Sequence, residues 1–217
     1  MYYAIIGDII NSKGIGNRIE FQKKLGGVLT QINSVYEDDI AANFLITLGD
    51  EFQGLLKSPG HILEIIEKIK FSVYPVKIRF GIGMGEIHTE INRKMAIGAD
   101  GPAYYHARNM VNELKALEKG KMNTGANIKF GAKGKAPVLD LINTTLSLCS
   151  YIESKWTQKQ RELIEESIFC RMSQREIAAK FNLSQSSVQR RFKSAGYYNY
   201  LSALETVNRI LADERGI

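Results

Sequence analysis

Apolar residues recur along this chain at two spacings, and the point where one gives way to the other divides it. Residues 2–10 form a nearly continuous apolar run, the pattern of a strand buried on both faces. Phe21, Leu25, Val28, Leu29, Ile32 and Tyr36 then share one face at helical spacing, which predicts a helix over about 17–37. Two short strands, 43–48 and 51–56, flank Gly49-Asp50, a hairpin-turn dipeptide. Ser58-Pro59 opens a second helix with Ile62, Ile65, Ile66 and Ile69 on its apolar stripe. Residues 76–84 alternate: Val76, Ile78, Phe80, Ile82 and Met84 point one way, Lys77, Arg79, Gly81, Gly83 and Gly85 the other. A glycine-lined face means that a helix packs close there or a ligand lies against the sheet. A third helix over about 103–119 and a last strand near 127–131 complete the segment. This order predicts an α+β fold with an antiparallel or mixed sheet, helices on one face and a ligand face opposite.

After Gly131 the two-residue period disappears. The stretch Gly-Ala-Lys-Gly-Lys-Ala-Pro to Pro137 reads as a linker, placing a domain boundary near Lys135 and giving domains 1–135 and 136–217. Leu139, Ile142, Leu146 and Cys149 stripe the next helix. Thr157…Gln160 and Ser173…Glu176 are capping-box patterns, each starting a helix. Asn182-Leu183-Ser184 makes a short turn, and Ser184 caps a helix over 185–194 that turns Val188 and Phe192 inward. Two short helices, a turn and a polar, basic helix form a helix-turn-helix pattern over about 173–194. It assigns Gln185, Ser186, Gln189 and Arg190 to base edges and Arg191 and Lys193 to phosphates of double-stranded DNA. The alternative is a helical domain whose basic helix is merely solvated. A final helix over about 199–212 either completes this small core or forms a dimer seam.

Charge sharpens the picture only locally. The 217 residues carry a net charge of +6 with a pI near 9.2, which suits an anionic partner. No acidic residue occurs from Leu183 to Leu204, where Arg190, Arg191 and Lys193 cluster. No stretch is apolar for long enough to cross a membrane, and residues 2–10 are too short and lack the basic flank of a signal peptide. Two unpaired-looking cysteines, Cys149 and Cys170, suit a reduced cytoplasmic chain.

The chemistry-bearing feature is a pair of acids. Asp8 sits inside a buried-strand pattern, where an ionised carboxylate requires compensation. Asp50 follows a second apolar run at a hairpin. Two carboxylates converging from neighbouring strands suit Mg²⁺, a hard cation that takes one or two protein carboxylates and completes its shell with water and phosphate oxygens. Glu51 and Glu86 are further candidates for that shell. Turn chemistry alone also accounts for Asp50.

Gly7-Asp8-Ile9 with Asn11-Ser12-Lys13, the run Thr47-Leu48-Gly49-Asp50-Glu51-Phe52-Gln53-Gly54, the run Arg79-Phe80-Gly81-Ile82-Gly83-Met84-Gly85, and Gly98-Ala99-Asp100-Gly101-Pro102 closely resemble the SatD family. The N-terminal motifs also resemble class III nucleotidyl cyclases and GGDEF domains. That resemblance implies a cyclase-like (ferredoxin-like βαββαβ) domain with Asp8, Asp50 and the Ile9 carbonyl as magnesium ligands. It also implies a nucleotide over Asn11, Ser12, Lys13 and Gly14 with Arg18, Gly83 and Gly101 contributing, and Arg108 as the transition-state arginine. Tyr104 stands where cyclases carry an asparagine, and Leu48 where GGDEF domains carry their first glycine. Three readings follow: a transcription regulator that binds a magnesium-nucleotide and DNA, a nucleotidyl cyclase or NTP hydrolase with a DNA-targeting or structural helical part, or a structural pseudo-enzyme that binds no nucleotide. A homodimer is implied where the cyclase resemblance extends to quaternary structure.

Overall fold

The computed structural model describes residues 1–120, 123–134 and 136–213. Strands β1 (Tyr2–Ile9), β2 (Ile40–Leu48), β3 (Glu51–Leu56), β4 (Ile78–Gly85) and β5 (Ile128–Gly131) form one mixed sheet in the order β2-β3-β1-β4-β5. All neighbours are antiparallel except β4 and β5. Helices α1 (Arg18–Val35), α2 (Ile62–Val73) and α3 (Pro102–Lys119) connect the strands, followed by α4 (Ala136–Ser154), α5 (Gln158–Phe169), α6 (Gln174–Lys180), α7 (Gln185–Ser194) and α8 (Tyr197–Ala212). The fold is α+β, as the periodicity predicts, with element ends within a few residues of expectation.

One expectation is overturned. The helices do not share one face: α3 crosses the glycine-lined face, opposite α1 and α2. A Cβ at Gly81 would collide with the Ala107 carbonyl, and one at Gly83 with the Ala103 carbonyl and the Ala107 amide. The glycines serve close helix approach, so a parallel crossover from β4 through α3 to β5 occupies the surface expected for a ligand. Each face therefore has its own apolar cluster. Ala4, Ile6 and Leu55 of the sheet pack against Ala103 and Ala107 of α3, and Ile5, Phe52 and Phe80 cluster with Leu25 and Leu29 of α1 and Ile66 of α2.

Each edge strand is bridged at one residue in the same way. On β2 the Asn33 amide donates to the Phe44 carbonyl at 2.9 Å and accepts from the Phe44 amide at 2.8 Å. On β5 the Asn143 amide does the same to Phe130, at 3.0 and 2.7 Å. Asn33 lies on α1 and Asn143 on α4. At these two positions a helix side chain takes the backbone groups that an edge strand would offer another chain.

Lys135, the expected domain boundary, lies outside the described residues. The core does not break there. One apolar cluster runs from Tyr3 and Ile5 through Leu139, Leu146 and Trp156 to Tyr200 and Leu211. At the junction Lys70 of α2 pairs with Glu67 at 2.8 Å and with Glu153 of α4 at 2.5 Å. Arg161 of α5 reaches Glu153 at 3.1 Å, and the Tyr200 hydroxyl of α8 donates to Glu67 at 2.5 Å. The Arg161 guanidinium lies 4.3 Å from the Tyr74 ring centroid and 5.3 Å from that of Trp156. Burial holds the Glu67 carboxyl above its ordinary value. The Glu153 carboxyl is held below its own, the ionic contacts to Lys70 and Arg161 overcoming the opposing effect of burial.

Candidate functional site

The β1–β3 register pairs Asp8 with Glu51, and the β1–β4 register pairs Asp8 with Arg79. Directly opposed residues on adjacent strands share a face. Glu51, Asp8 and Arg79 therefore form a row across the three central strands, at the end where β1 finishes. Two adjacent carboxylates in a buried row repel one another, and the structure supplies cations around them. Arg79 donates to Asp8 Oδ2 at 2.6 Å, and Lys115 Nζ lies 2.6 Å from Asp8 Oδ1. Arg108 forks onto both oxygens of Glu51, one contact being 2.6 Å. Arg79 also bonds Glu118. The hydrogen bonds that Arg108 donates to Glu51 raise its guanidinium above the ordinary arginine value, against the opposing effect of burial.

Helix α3 explains why these cations arrive together. It runs from the Gly85 end of β4 toward the Ile78 end, close against the glycines, so Arg108 and Lys115, two turns apart on one helix face, descend onto Glu51 and Asp8. Of the two further acids expected near the metal shell, Glu51 stands in the row. Glu86 lies just beyond Gly85, at the opposite end of β4, where its carboxylate is exposed beside His88. Sequence reasoning missed Arg79, Lys115 and Glu118, because none of them has a local relation to Asp8. Only the strand register and the path of α3 bring them in.

Asp50 lies at the same end of the sheet but faces elsewhere. The Ile9 amide donates to the Asp50 carbonyl at 2.9 Å, and Ser12 Oγ donates to Asp50 Oδ2 at 3.1 Å. Ser12, Lys13 and Gly14 form a single 3-10 turn after Asn11, which is left-handed at φ 53°. Gln22 of α1 donates to the Gly49 carbonyl at 2.8 Å, and Arg18 lies beside Gly49. Ser12, Arg18 and Asp50 are therefore brought together, with Asn11, Lys13 and Gly14 exposed beside them. The carboxylate that directly flanks Asp8 is Glu51. Among the described residues no group of three or more His, Cys, Asp or Glu side chains is arranged to hold a metal ion.

Two expected nucleotide contacts are corrected. Gly83 faces the backbone of α3. Gly101, the residue before α3, sits against Glu86 and Ile87 just beyond β4, while Gly85 pairs with Tyr2. That is the other end of β1 from Asp8, about 20 Å away at the strand rise. The positive φ of 153° and the tight backbone contact account for this glycine without a ligand. Tyr104 is also structural: it is buried, and its hydroxyl donates to the Ala96 carbonyl at 3.3 Å.

A cleft of about 460 Å³ opens beside the row, between the end of the sheet and the helical part. Asn11, Lys77 and Glu118 line one side, and Ser154, Trp156 and Arg161 the other.

In the C-terminal part both capping boxes form, at Thr157 and Ser173. The turn between α6 and α7 contains Asn182 at φ 53°, and Ser184 caps α7 by accepting from the Ser187 amide. Val188 and Phe192 are buried, whereas Gln185, Ser186, Gln189, Arg190 and Lys193 are exposed and Arg191 is half-buried. Burial pushes the Cys149 thiol up to about 11, consistent with an unreactive core thiol.

No helix among the described residues is long and apolar enough to cross a membrane. No curated protein matches the chain. The family model described as the SatD family matches residues 2–211, nearly the full length, and the chain belongs to the SatD family.

Proposed function

We propose that this protein is a DNA-binding regulator whose sheet domain binds a magnesium-nucleotide. The observation that carries the DNA reading is α7. Its inward face is Val188 and Phe192, and its outward face presents amides, hydroxyls and cations without one carboxylate. The order α6, short turn, α7 supports a helix-turn-helix reading, in which the second helix would enter the major groove. Gln185, Ser186, Gln189 and Arg190 would read bases, and Arg191 and Lys193 would hold phosphates. The test is binding to random and selected duplexes over a range of salt. Salt-dependent binding that changes sequence preference in Gln189→Ala or Arg190→Ala supports the reading. No binding to any duplex at low salt would leave α6 and α7 as a protein-interaction module.

The nucleotide reading rests on the acidic end of the sheet. The first four strands and two helices have the order and directions of a ferredoxin-like βαββαβ unit, the core that class III cyclases and GGDEF domains also use. A hard cation would be held by Asp8 and Glu51, which stand side by side, with Asp50 of the hairpin turning from Ser12 to join them and the Ile9 carbonyl as the further oxygen that the cyclase resemblance implies. Magnesium bound there would neutralise phosphate oxygens. The residues around it suit the remaining charge. Arg108 and Lys115 are half-exposed, so they can leave the carboxylates for a phosphate, while Arg79 stays buried against Asp8. Lys13 and Arg18 are exposed beside the hairpin. A thermal-shift screen with and without Mg²⁺ tests this: a nucleotide that binds only the folded state raises Tm, and Asp8→Asn should remove the rise. The enzyme reading shares these residues, with Arg108 as its catalytic candidate, and is separated by product analysis after incubation with labelled nucleotides.

A further inference from the structure

Helix α4 is apolar on two sides. Its inner stripe, Leu139, Ile142, Leu146 and Cys149, is buried against the sheet and α8. Its outer stripe is Leu141, Thr144, Leu148 and Tyr151, with Leu141 and Leu148 each 61% exposed and Tyr151 57% exposed. From Leu141 to Ile152 the helix carries no Asp, Glu, Lys or Arg. Surface helices turn a polar, charged face to water, and a helix that is apolar all round is a buried one. Charged residues stand only near the two ends: Asp140 toward the N-terminus, and toward the C-terminus Glu153, sealed in the junction with Lys70 and Arg161, and Lys155 just past the helix. Asp140, exposed, has no ion-pair partner among the described residues, and Lys155 lies 5.0 Å from the centroid of the Tyr151 ring.

We propose that the outer face of α4 is a homodimer interface, in which α4 packs antiparallel against α4 of a second copy about a two-fold axis. The pattern is self-complementary, as an isologous contact requires. With the axis midway along the stripe, Leu141 of each copy meets Tyr151 of the other, and Thr144 meets Leu148. The negative end at Asp140 then lies beside the positive end at Lys155, twice. A parallel arrangement would instead place like charges together. Antiparallel packing also opposes the two helix dipoles favourably. A second copy is thus favoured over an unrelated partner, because the chain itself carries the complement of each end. The inference is independent of the nucleotide and DNA readings. If α7 does bind DNA, the dimer would present two such helices, matching a palindromic site.

The experiment is the molar mass of the full-length protein across a dilution series, by light scattering and sedimentation. The wild type should be a dimer that dissociates on dilution, and Leu148→Glu should be monomeric with an unchanged circular dichroism spectrum. Asp140→Lys alone and Lys155→Asp alone should each weaken dimerisation about tenfold or more through like-charge contact. The double variant should restore it. A wild type that is monomeric at every attainable concentration overturns the proposal. So does a dimer that survives Leu148→Glu, or one in which the double charge reversal is no tighter than either single change.

Discussion

The molecule holds two clusters of acids and cations, and they differ in what their cations can do. At the end of the sheet, Asp8 and Glu51 are buried, but two of their partners are not: the side chains of Arg108 and Lys115 are 42% and 40% exposed. At the junction, Lys70, Glu67, Glu153 and Arg161 are all no more than 10% exposed. A cation with access to water can exchange one anionic partner for another at modest cost, since screening keeps each pairing weak. A cation sealed among carboxylates cannot leave without stranding them. The first cluster is built like a site, and the second like a joint between the sheet and the C-terminal helices.

The sharpest way to break this contrast is to remove Lys70. Lys70→Met would leave Glu67 and Glu153 buried with Arg161 as the remaining ionic partner, and should destabilise the protein by about 3–5 kcal/mol in denaturant unfolding. A loss under about 1 kcal/mol would place the joint among exposed pairs and erase the distinction.

Alkaline pH should weaken the joint next. The Lys70 ammonium is raised above its ordinary value of 10.5 by Glu153 and Glu67 against the pull of burial, and the Tyr200 hydroxyl is raised well above 10.0 by burial. In each case the folded state keeps a proton that the unfolded chain releases. Stability is therefore full below the unfolded values and falls as pH rises above them, by about 1.4 kcal/mol per pH unit for each group. Tyr200→Phe should make the decline between about pH 10 and 12 shallower. An identical slope would show that Tyr200 does not take part.

The same removal at the sheet end should hardly touch stability. Lys115→Met should change unfolding free energy by about 1 kcal/mol or less, since Asp8 keeps Arg79, while weakening any magnesium-nucleotide binding about tenfold. Equal stability losses in both clusters would mean that the acidic row is only structural. Asp8→Asn should not stabilise the protein, because Asp8 already carries two cations and nothing in the ligand-free row is left to relieve. The smallest effect belongs to α7. Arg191→Ala or Lys193→Ala should leave stability within about 0.5 kcal/mol and lower the salt slope of DNA binding by about one for each phosphate no longer neutralised. An unchanged slope would show that these two side chains do not hold phosphates.

Local rules written in the chain set the elements and many of their ends: strand alternation in β4, the hairpin at Gly49-Asp50, the capping boxes at Thr157 and Ser173, and the Ser184 cap that starts α7. They also marked Asp8 as a charge needing compensation. What compensates it came from packing between distant segments. The register of β1 against β3 and β4 set Glu51 and Arg79 beside Asp8, and α3 brought Arg108 and Lys115 from sites 57 residues or more away in sequence. Which face α3 covers was equally nonlocal, because three glycines suit a close helix and a bound ligand alike until a crossover occupies the space. The core continues past residue 135 through apolar contacts between distant segments, and Lys70 meets Glu153 at that junction. No pattern within either segment encodes that pair, since each residue taken alone reads as a solvated charge on a helix.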